Sequence, residues 1–214
     1  MFLRYVSLLM LTVVLVGCGG SSAPEDDKSS TNGKSDDDQP NDTKGDDSQG
    51  DSAKRFEKDG ISAVIATWDQ TQTYVQKQKG KVVVLDTWSN YCEPCMIEYP
   101  NLVALQKKYP ERVVCVSFNL DYDGTVNSPP ESNADDVLKF LAKQKSMLHN
   151  VISSTDSDVF HDAVGLASIP AVFVYGPDGK LKKRFDNDDR EFGEDGFTYE
   201  KHIIPLIEDL LTEK

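Results

Sequence analysis

Two cysteines, Cys92 and Cys95, stand two residues apart in the stretch Trp88-Ser89-Asn90-Tyr91-Cys92-Glu93-Pro94-Cys95. The apolar run Lys81-Val82-Val83-Val84-Leu85 comes directly before it, and a helix-like segment comes directly after. At the join of a strand and a helix, such a pair forms a site for making and breaking one disulfide. A bare C-x-x-C is also half of a zinc site or a chance spacing. Zinc needs two further ligands, and Cys115, His149, His161 and His202 offer no matching spacing, so no metal is expected.

The segments around this stretch alternate in type. Ile61 to Thr67 reads as a first strand, and the polar segment from Asp69 to Lys79 as a helix closed by Gly80. The β-branched run at 81–85 has the composition of a central strand covered on both faces. A helix follows from Glu93 to about Tyr109, with Met96, Ile97, Leu102, Val103 and Leu105 as core candidates and Pro100 expected to kink it. Arg112 to Phe118 reads as a second buried strand and Asn119 to Ser132 as a loop. Asn133 is placed to cap a helix with Val137, Leu138, Phe140 and Leu141 on its apolar side, before a short strand at Val151-Ile152. A short helix spans Ser157 to Val164. Ala167 to Tyr175 and Lys180 to Phe185 then make a hairpin across Gly176-Pro177-Asp178-Gly179, and a helix from Thr198 to Leu211 closes the chain. This order predicts a mixed α/β sheet with helices on both faces.

The first 17 residues carry one basic residue, Arg4, and an apolar run from Val6 to Val16. That run is shorter than the about 20 apolar residues a spanning helix needs, and it has the pattern of an export signal. Leu15-Val16-Gly17-Cys18 resembles a bacterial lipobox, which implies a signal peptide over 1–17, lipidation of Cys18 and a domain outside the cytoplasm, held to the membrane by lipid. From Gly19 to Ala53 there are ten acids against three lysines and almost no apolar residue. Such a segment cannot offset its ordering entropy by burial, so residues 18–60 are read as the lipidated cysteine and a disordered acidic tether, and 61–214 as the folded domain. About 35 flexible residues reach roughly 30 Å. The formal net charge of −13 leaves no basic stripe for nucleic acid and disfavours polybasic attachment to anionic lipid.

Several residues at consistent distances then converge. Asp86 lies six residues before Cys92, Trp88 ends the strand, Pro100 lies five beyond Cys95, and Ile169-Pro170 precedes a strand. Over residues 61–214 the chain resembles a thioredoxin-fold protein, in which these positions are a buried acid, a strand-end tryptophan, a helix proline and a cis-proline loop facing the disulfide. Glu93-Pro94 between the cysteines, Glu98 and the helix-plus-strand insertion from Asn133 to Ile152 resemble the membrane-tethered, extracytoplasmic TlpA/ResA-like thiol-disulfide oxidoreductases in particular. Tyr91 stands where tryptophan is usual in this group, and Ser117 where thioredoxin itself has lysine.

Chemistry follows from these positions. Cys92 at a helix N-terminus has its thiolate stabilised by unpaired N–H groups and the helix dipole, so it attacks first; Cys95, one turn inside, resolves the mixed disulfide. Asp86 is expected to accept the Cys95 proton, a role that burial suits by raising a carboxyl pKa. Glu93 opposes the Cys92 thiolate and tilts the balance towards reduction. Trp88 and Tyr91 line a substrate groove or pack the sheet end. The resemblance implies that Ile169 and Pro170 pair with an extended substrate segment through main chain. Cys115, within Val113-Val114-Cys115-Val116, reads as a core residue and His161 as surface or packing.

No cofactor beyond the Cys92–Cys95 disulfide is expected. The expected partners are protein thiols and disulfides, through a membrane electron donor and an extracytoplasmic substrate protein, with cytochrome c maturation as the setting and the protein a monomer. A disulfide-forming oxidant is the alternative on the same fold. A copper chaperone resembles C-x-x-x-C with a distal histidine, and the spacing here is two.

Overall fold

The computed structural model describes residues 53–212. The signal segment, Cys18 and the acidic stretch through residue 52 lie outside the described residues. Seven strands form one sheet in the order β1-β2-β5-β4-β3-β6-β7. They are β1 (Arg55–Lys58), β2 (Ile61–Ala66), β3 (Val82–Trp88), β4 (Val113–Asn119), β5 (His149–Ser153), β6 (Ala171–Tyr175) and β7 (Leu181–Phe185). Strands β2, β5, β4 and β3 run parallel, whereas β1, β6 and β7 join by antiparallel pairing. The helices are α1 (Trp68–Gln76), α2 (Glu93–Lys108), α3 (Ala134–Gln144), α4 (Ser157–Val164) and α5 (Ile204–Thr212).

All seven residues of β3 are buried, because the strand is covered on both faces. Its two-residue period divides them: Val82, Val84 and Trp88 join a core with α2, α3 and α5, while Val83 and Leu85 join a second core with Val75 of α1 and Phe160 of α4. Asp86 shares the parity of Val84 and Trp88, so it faces the α2 side.

The domain begins earlier than the sequence reading placed it. Arg55–Lys58 pairs antiparallel with β2 through a two-residue turn in which Asp59 (φ 51°) and Gly60 (φ 76°) both take positive φ, the arrangement that suits the twist of a hairpin. The tether as read to residue 60 therefore overlaps a strand. In α2 the buried stripe is Cys95, Tyr99, Leu102, Val103 and Leu105, so Ile97, expected in the core, falls off the stripe and is 66% exposed. The helix runs through Pro100. Asn133 does not cap α3 with its side chain; a 3₁₀ turn over Pro130–Asn133 leads into the helix. The expected insertion is α3 and β5, with β5 seated between β2 and β4. At the C-terminal end a π-helical turn, Tyr199–Ile203, precedes α5. It begins at Thr198, whose hydroxyl accepts the Lys201 N–H at 3.3 Å.

Candidate active site

The site forms where β3 ends and α2 begins. The turn Ser89–Tyr91 is held by Asp121, just past β4: its carboxylate accepts Ser89 Oγ at 2.6 Å, the Asn90 N–H at 2.9 Å and Asn90 Nδ2 at 2.7 Å. Cys92 is the N-cap of α2. Its carbonyl accepts the Met96 N–H at 3.1 Å and its sulfur accepts the Cys95 N–H at 3.3 Å, the place an oxygen takes in ordinary caps. Cys92 and Cys95 are joined in a disulfide with Cα atoms 5.3 Å apart. Cys95 is 3% exposed, and Cys92 is half-buried. Helix geometry accounts for this asymmetry, since Cys95 falls on the buried stripe with Tyr99 while Cys92 stays at the rim.

Behind Cys95 lies Asp86, 4% exposed. Its carboxylate accepts a short hydrogen bond from the Tyr199 hydroxyl. Burial raises the Asp86 carboxyl from 3.8 to about 7; the Tyr199 hydrogen bond works against that rise, and the negative charge of Glu98 adds to it. Glu98 is fixed in turn, accepting the Tyr199 N–H at 3.2 Å and Asn101 Nδ2 at 2.9 Å. A cavity of about 200 Å³ has Asp86, Cys95, Glu98, Pro170 and Tyr199 in its wall. Asp86, Glu98 and Tyr199 give this cavity polar groups among apolar ones such as Ile97, Val172 and Phe197. Asp86 and Cys95 thus share the wall of one cavity, with the Asp86 carboxyl raised to about 7.

The Ile169-Pro170 peptide bond is cis. Just after it, Thr87 Oγ donates to the Ala171 carbonyl at 2.8 Å and accepts the Ala171 N–H at 3.2 Å, tying the proline loop to the strand that carries Asp86. Cys92, Glu93 and Pro94 line a groove with Tyr91, which is 89% exposed, and with His161, Ala167, Ser168 and Ile169. Glu93, Pro94, Tyr91 and Ile169, expected to meet substrate, therefore line one groove with Cys92.

Trp88 does not. Its ring is fully buried, its Nε1 donates to Ser117 Oγ at 2.8 Å, and it packs edge-on against Tyr99. The residue at the strand end with the parity of Asp86 points under α2, so Trp88 is part of the sheet packing rather than the groove. Cys115 is 1% exposed, and burial pushes its thiol far above the ordinary range. His149 stacks on Tyr74 and burial lowers its imidazole to about 4, with Arg55 adding to the fall. His202 Nδ1 accepts the Thr198 N–H at 2.9 Å. Sequence reasoning did not find Asp121 or Tyr199, which meet the site across 31 and 113 residues.

A disulfide at a helix N-terminus, a buried acid behind it and a cis-proline loop beside it set the context for one match: the sequence profile described as Redoxin covers residues 48–199. The chain belongs to the redoxin family. Among similar proteins, this redoxin is 31% identical to the thiol-disulfide oxidoreductase ResA of Bacillus subtilis over 106 residues, covering 49% of this chain and 52% of that protein. It is 27% identical to ResA of Bacillus thuringiensis over 124 residues, covering 58% and 65%. The chain spans less than two thirds of the length of these curated relatives. A solved thiol-disulfide isomerase from Corynebacterium glutamicum superposes with a TM-score of 0.51 at 14% identity, covering 65% of this redoxin and 86% of that chain. The fold is thioredoxin-like.

Proposed function

We propose that this redoxin is an extracytoplasmic thiol-disulfide oxidoreductase that reduces protein disulfides. The observation that carries the reading is the asymmetry of the disulfide: Cys92 at the groove, and Cys95 buried against a cavity that contains a carboxyl raised to about 7. In the reducing direction the Cys92 thiolate attacks one sulfur of the substrate disulfide, forming a mixed disulfide and releasing the other substrate sulfur as a thiolate. Cys95 then gives its proton to Asp86 and attacks Cys92 Sγ. The Cys92–Cys95 disulfide forms, the second substrate sulfur leaves, and the substrate has gained two electrons. The ResA relatives, named as thiol-disulfide oxidoreductases, support the exchange chemistry, and exposed Glu93 beside Cys92 supports the direction, because its charge works against the thiolate and so against a strongly oxidising disulfide.

In this proposal the chain is a monomer tethered through lipid on Cys18 after removal of residues 1–17. It takes electrons from a membrane donor and passes them to an extracytoplasmic protein in cytochrome c maturation. Among the described residues no helix is long and apolar enough to cross a membrane.

Trapping tests the activity. A Cys95→Ala variant lacks the resolving thiol and accumulates mixed disulfides through Cys92, which reductant releases and mass spectrometry identifies; absence of any adduct, with no reduction of a model disulfide by the unmodified protein, would end the enzyme reading. A reduction potential near about −120 mV, the strongly oxidising end of the range, would make it an oxidant instead. Loss of radiolabelled fatty acid incorporation in Cys18→Ala checks the anchor.

A further inference from the structure

The chain between α4 and the cis-proline loop is held by a relay of three side chains from β7 and the loop after it. Arg184 donates through Nη1 to the carbonyls of Val164 at 2.6 Å and Gly165 at 3.1 Å. Its Nε donates to Asp186 Oδ2 at 2.6 Å. Asp186 Oδ1 accepts the Asp188 N–H at 3.1 Å, and Asp188 Oδ2 accepts the Ala167 N–H at 2.8 Å. All three side chains belong to residues that are half-buried.

The relay has a counterpart on the other side of the proline, where Thr87 holds Ala171 by two hydrogen bonds. The loop is therefore pinned at Ala167 and at Ala171. Between the pins, the backbone N–H and carbonyl groups of Ser168 and Ile169 make no hydrogen bond within the described residues, and both residues line the groove with Cys92. Main-chain groups left unpaired at a groove are what an extended polypeptide pairs with. Unpinned, this edge would have to be ordered each time a chain docks, at a cost in backbone entropy.

We propose that Arg184, Asp186 and Asp188 form a clamp that holds the Ala167–Ile169 edge in the position to which a polypeptide substrate pairs. Asp188 is then a positioning residue for protein substrates, acting through Ala167 rather than on the sulfurs. The proposal rests on the disulfide-exchange reading. It distinguishes two substrate classes, because a small aromatic disulfide reaches Cys92 without pairing along the edge.

The test compares full-length protein with Asp188→Ala and Asp188→Asn, using insulin as the polypeptide disulfide and dithiobis-nitrobenzoate as the small one. Losing a hydrogen bond to a charged acceptor is worth about tenfold in an equilibrium. Asp188→Ala is thus expected to raise KM for insulin by about tenfold with kcat little changed, and to move the rate with the small disulfide by less than about twofold. The reduction potential should stay where it is. Asp188→Asn keeps an oxygen that accepts the Ala167 N–H, and should recover most of the lost affinity. Amide exchange at Ala167 provides a measurement independent of turnover: protection should fall in Asp188→Ala and persist in Asp188→Asn. Unchanged protection, an unchanged insulin KM, an equal loss with both disulfides, or failure of the Asn variant to recover each overturns the clamp. Unmodified protein that reduces neither disulfide overturns the disulfide-exchange reading, a different result from any of these.

Discussion

Replacing Asp86 by Asn should make the protein more stable and slower, with the gain in stability confined to one side of a pH boundary. The Asp86 carboxyl is raised from 3.8 to about 7, chiefly by burial. Between those values the native state keeps a proton that the unfolded state has lost, so stability falls as pH rises, by about 1.4 kcal/mol per unit. Over about three units the deficit reaches roughly 4 kcal/mol; below pH 4 both states are protonated, and above pH 7 both are ionised, so it changes no further. Asn resembles the protonated carboxyl in shape and does not ionise, and its oxygen can accept the Tyr199 hydroxyl. Any misfit of its NH₂ group shifts stability equally at every pH. The advantage of Asp86→Asn over the unmodified oxidised protein should therefore grow by roughly 4 kcal/mol between pH 4 and pH 8. Urea unfolding at four or five pH values measures it, and the difference between the two proteins removes the contribution of every other carboxylate. Reaction tells the other half: without the acceptor for the Cys95 proton, resolution of the mixed disulfide should slow by about a hundredfold or more. A stability difference that does not change with pH, or that is larger in acid, would refute the reasoning, because Asp86 would then be titrating in its ordinary range or below it.

Three other perturbations address the groups around it. Tyr199→Phe removes the hydrogen bond that lowers the Asp86 pKa, so the midpoint of the pH–rate profile for resolution should move above 7; an unchanged or lower midpoint contradicts the assignment. Cys115 should resist alkylation in the native reduced protein while Cys92 reacts, and should label only in denaturant. Cys115→Ser should cost about 1–3 kcal/mol in urea unfolding, through an unpaired hydroxyl in the core. Asp121→Ala strips the acceptor from three donors at the turn before Cys92, and should lower stability by about 1.5–3 kcal/mol, with lost amide protection at Asn90.

Much of this architecture is legible along the chain, and the exceptions share a cause. Strand β3, the α2 segment, β4, α4, the β6–β7 hairpin and the last helix each announce themselves by periodicity or by Gly and Pro at their ends, because those signals are local. Strand β1 is not, since Arg55-Phe56-Glu57-Lys58 holds one apolar side chain and reads as more of the charged segment before it, although Asp59-Gly60 is itself a hairpin signal. The helical phase of α2 misled at Ile97 because Cys95 and Tyr99 set the buried stripe, and neither is a strong hydrophobic marker. The two cysteines stand out by their spacing, and Asp86 and Ile169-Pro170 are picked out through the resemblance to thioredoxin-fold proteins. Asp121 and Tyr199 are not, because no spacing records which distant side chain will turn towards a site. Trp88 reads equally as groove or sheet end from the sequence, a choice that only the parity of β3 resolves.

Tyr99 lies one turn beyond Cys95, and its hydroxyl is knotted to Ser117 of β4 at 2.9 Å, to Ser146 at 2.9 Å and to Asn150 of β5 at 3.3 Å. Asn150 continues the knot to the Ser62 carbonyl of β2 at 3.0 Å. The helix that carries the disulfide is in this way bolted to three consecutive strands, one of them the inserted β5. Opening the S–S bond releases two sulfur atoms but none of these fastenings, so the frame under the reaction stays still while electrons pass. Oxidised and reduced forms should then differ at the rim, around Tyr91 to Pro94 and Ser168-Ile169, and a partner that tells them apart has to do so there.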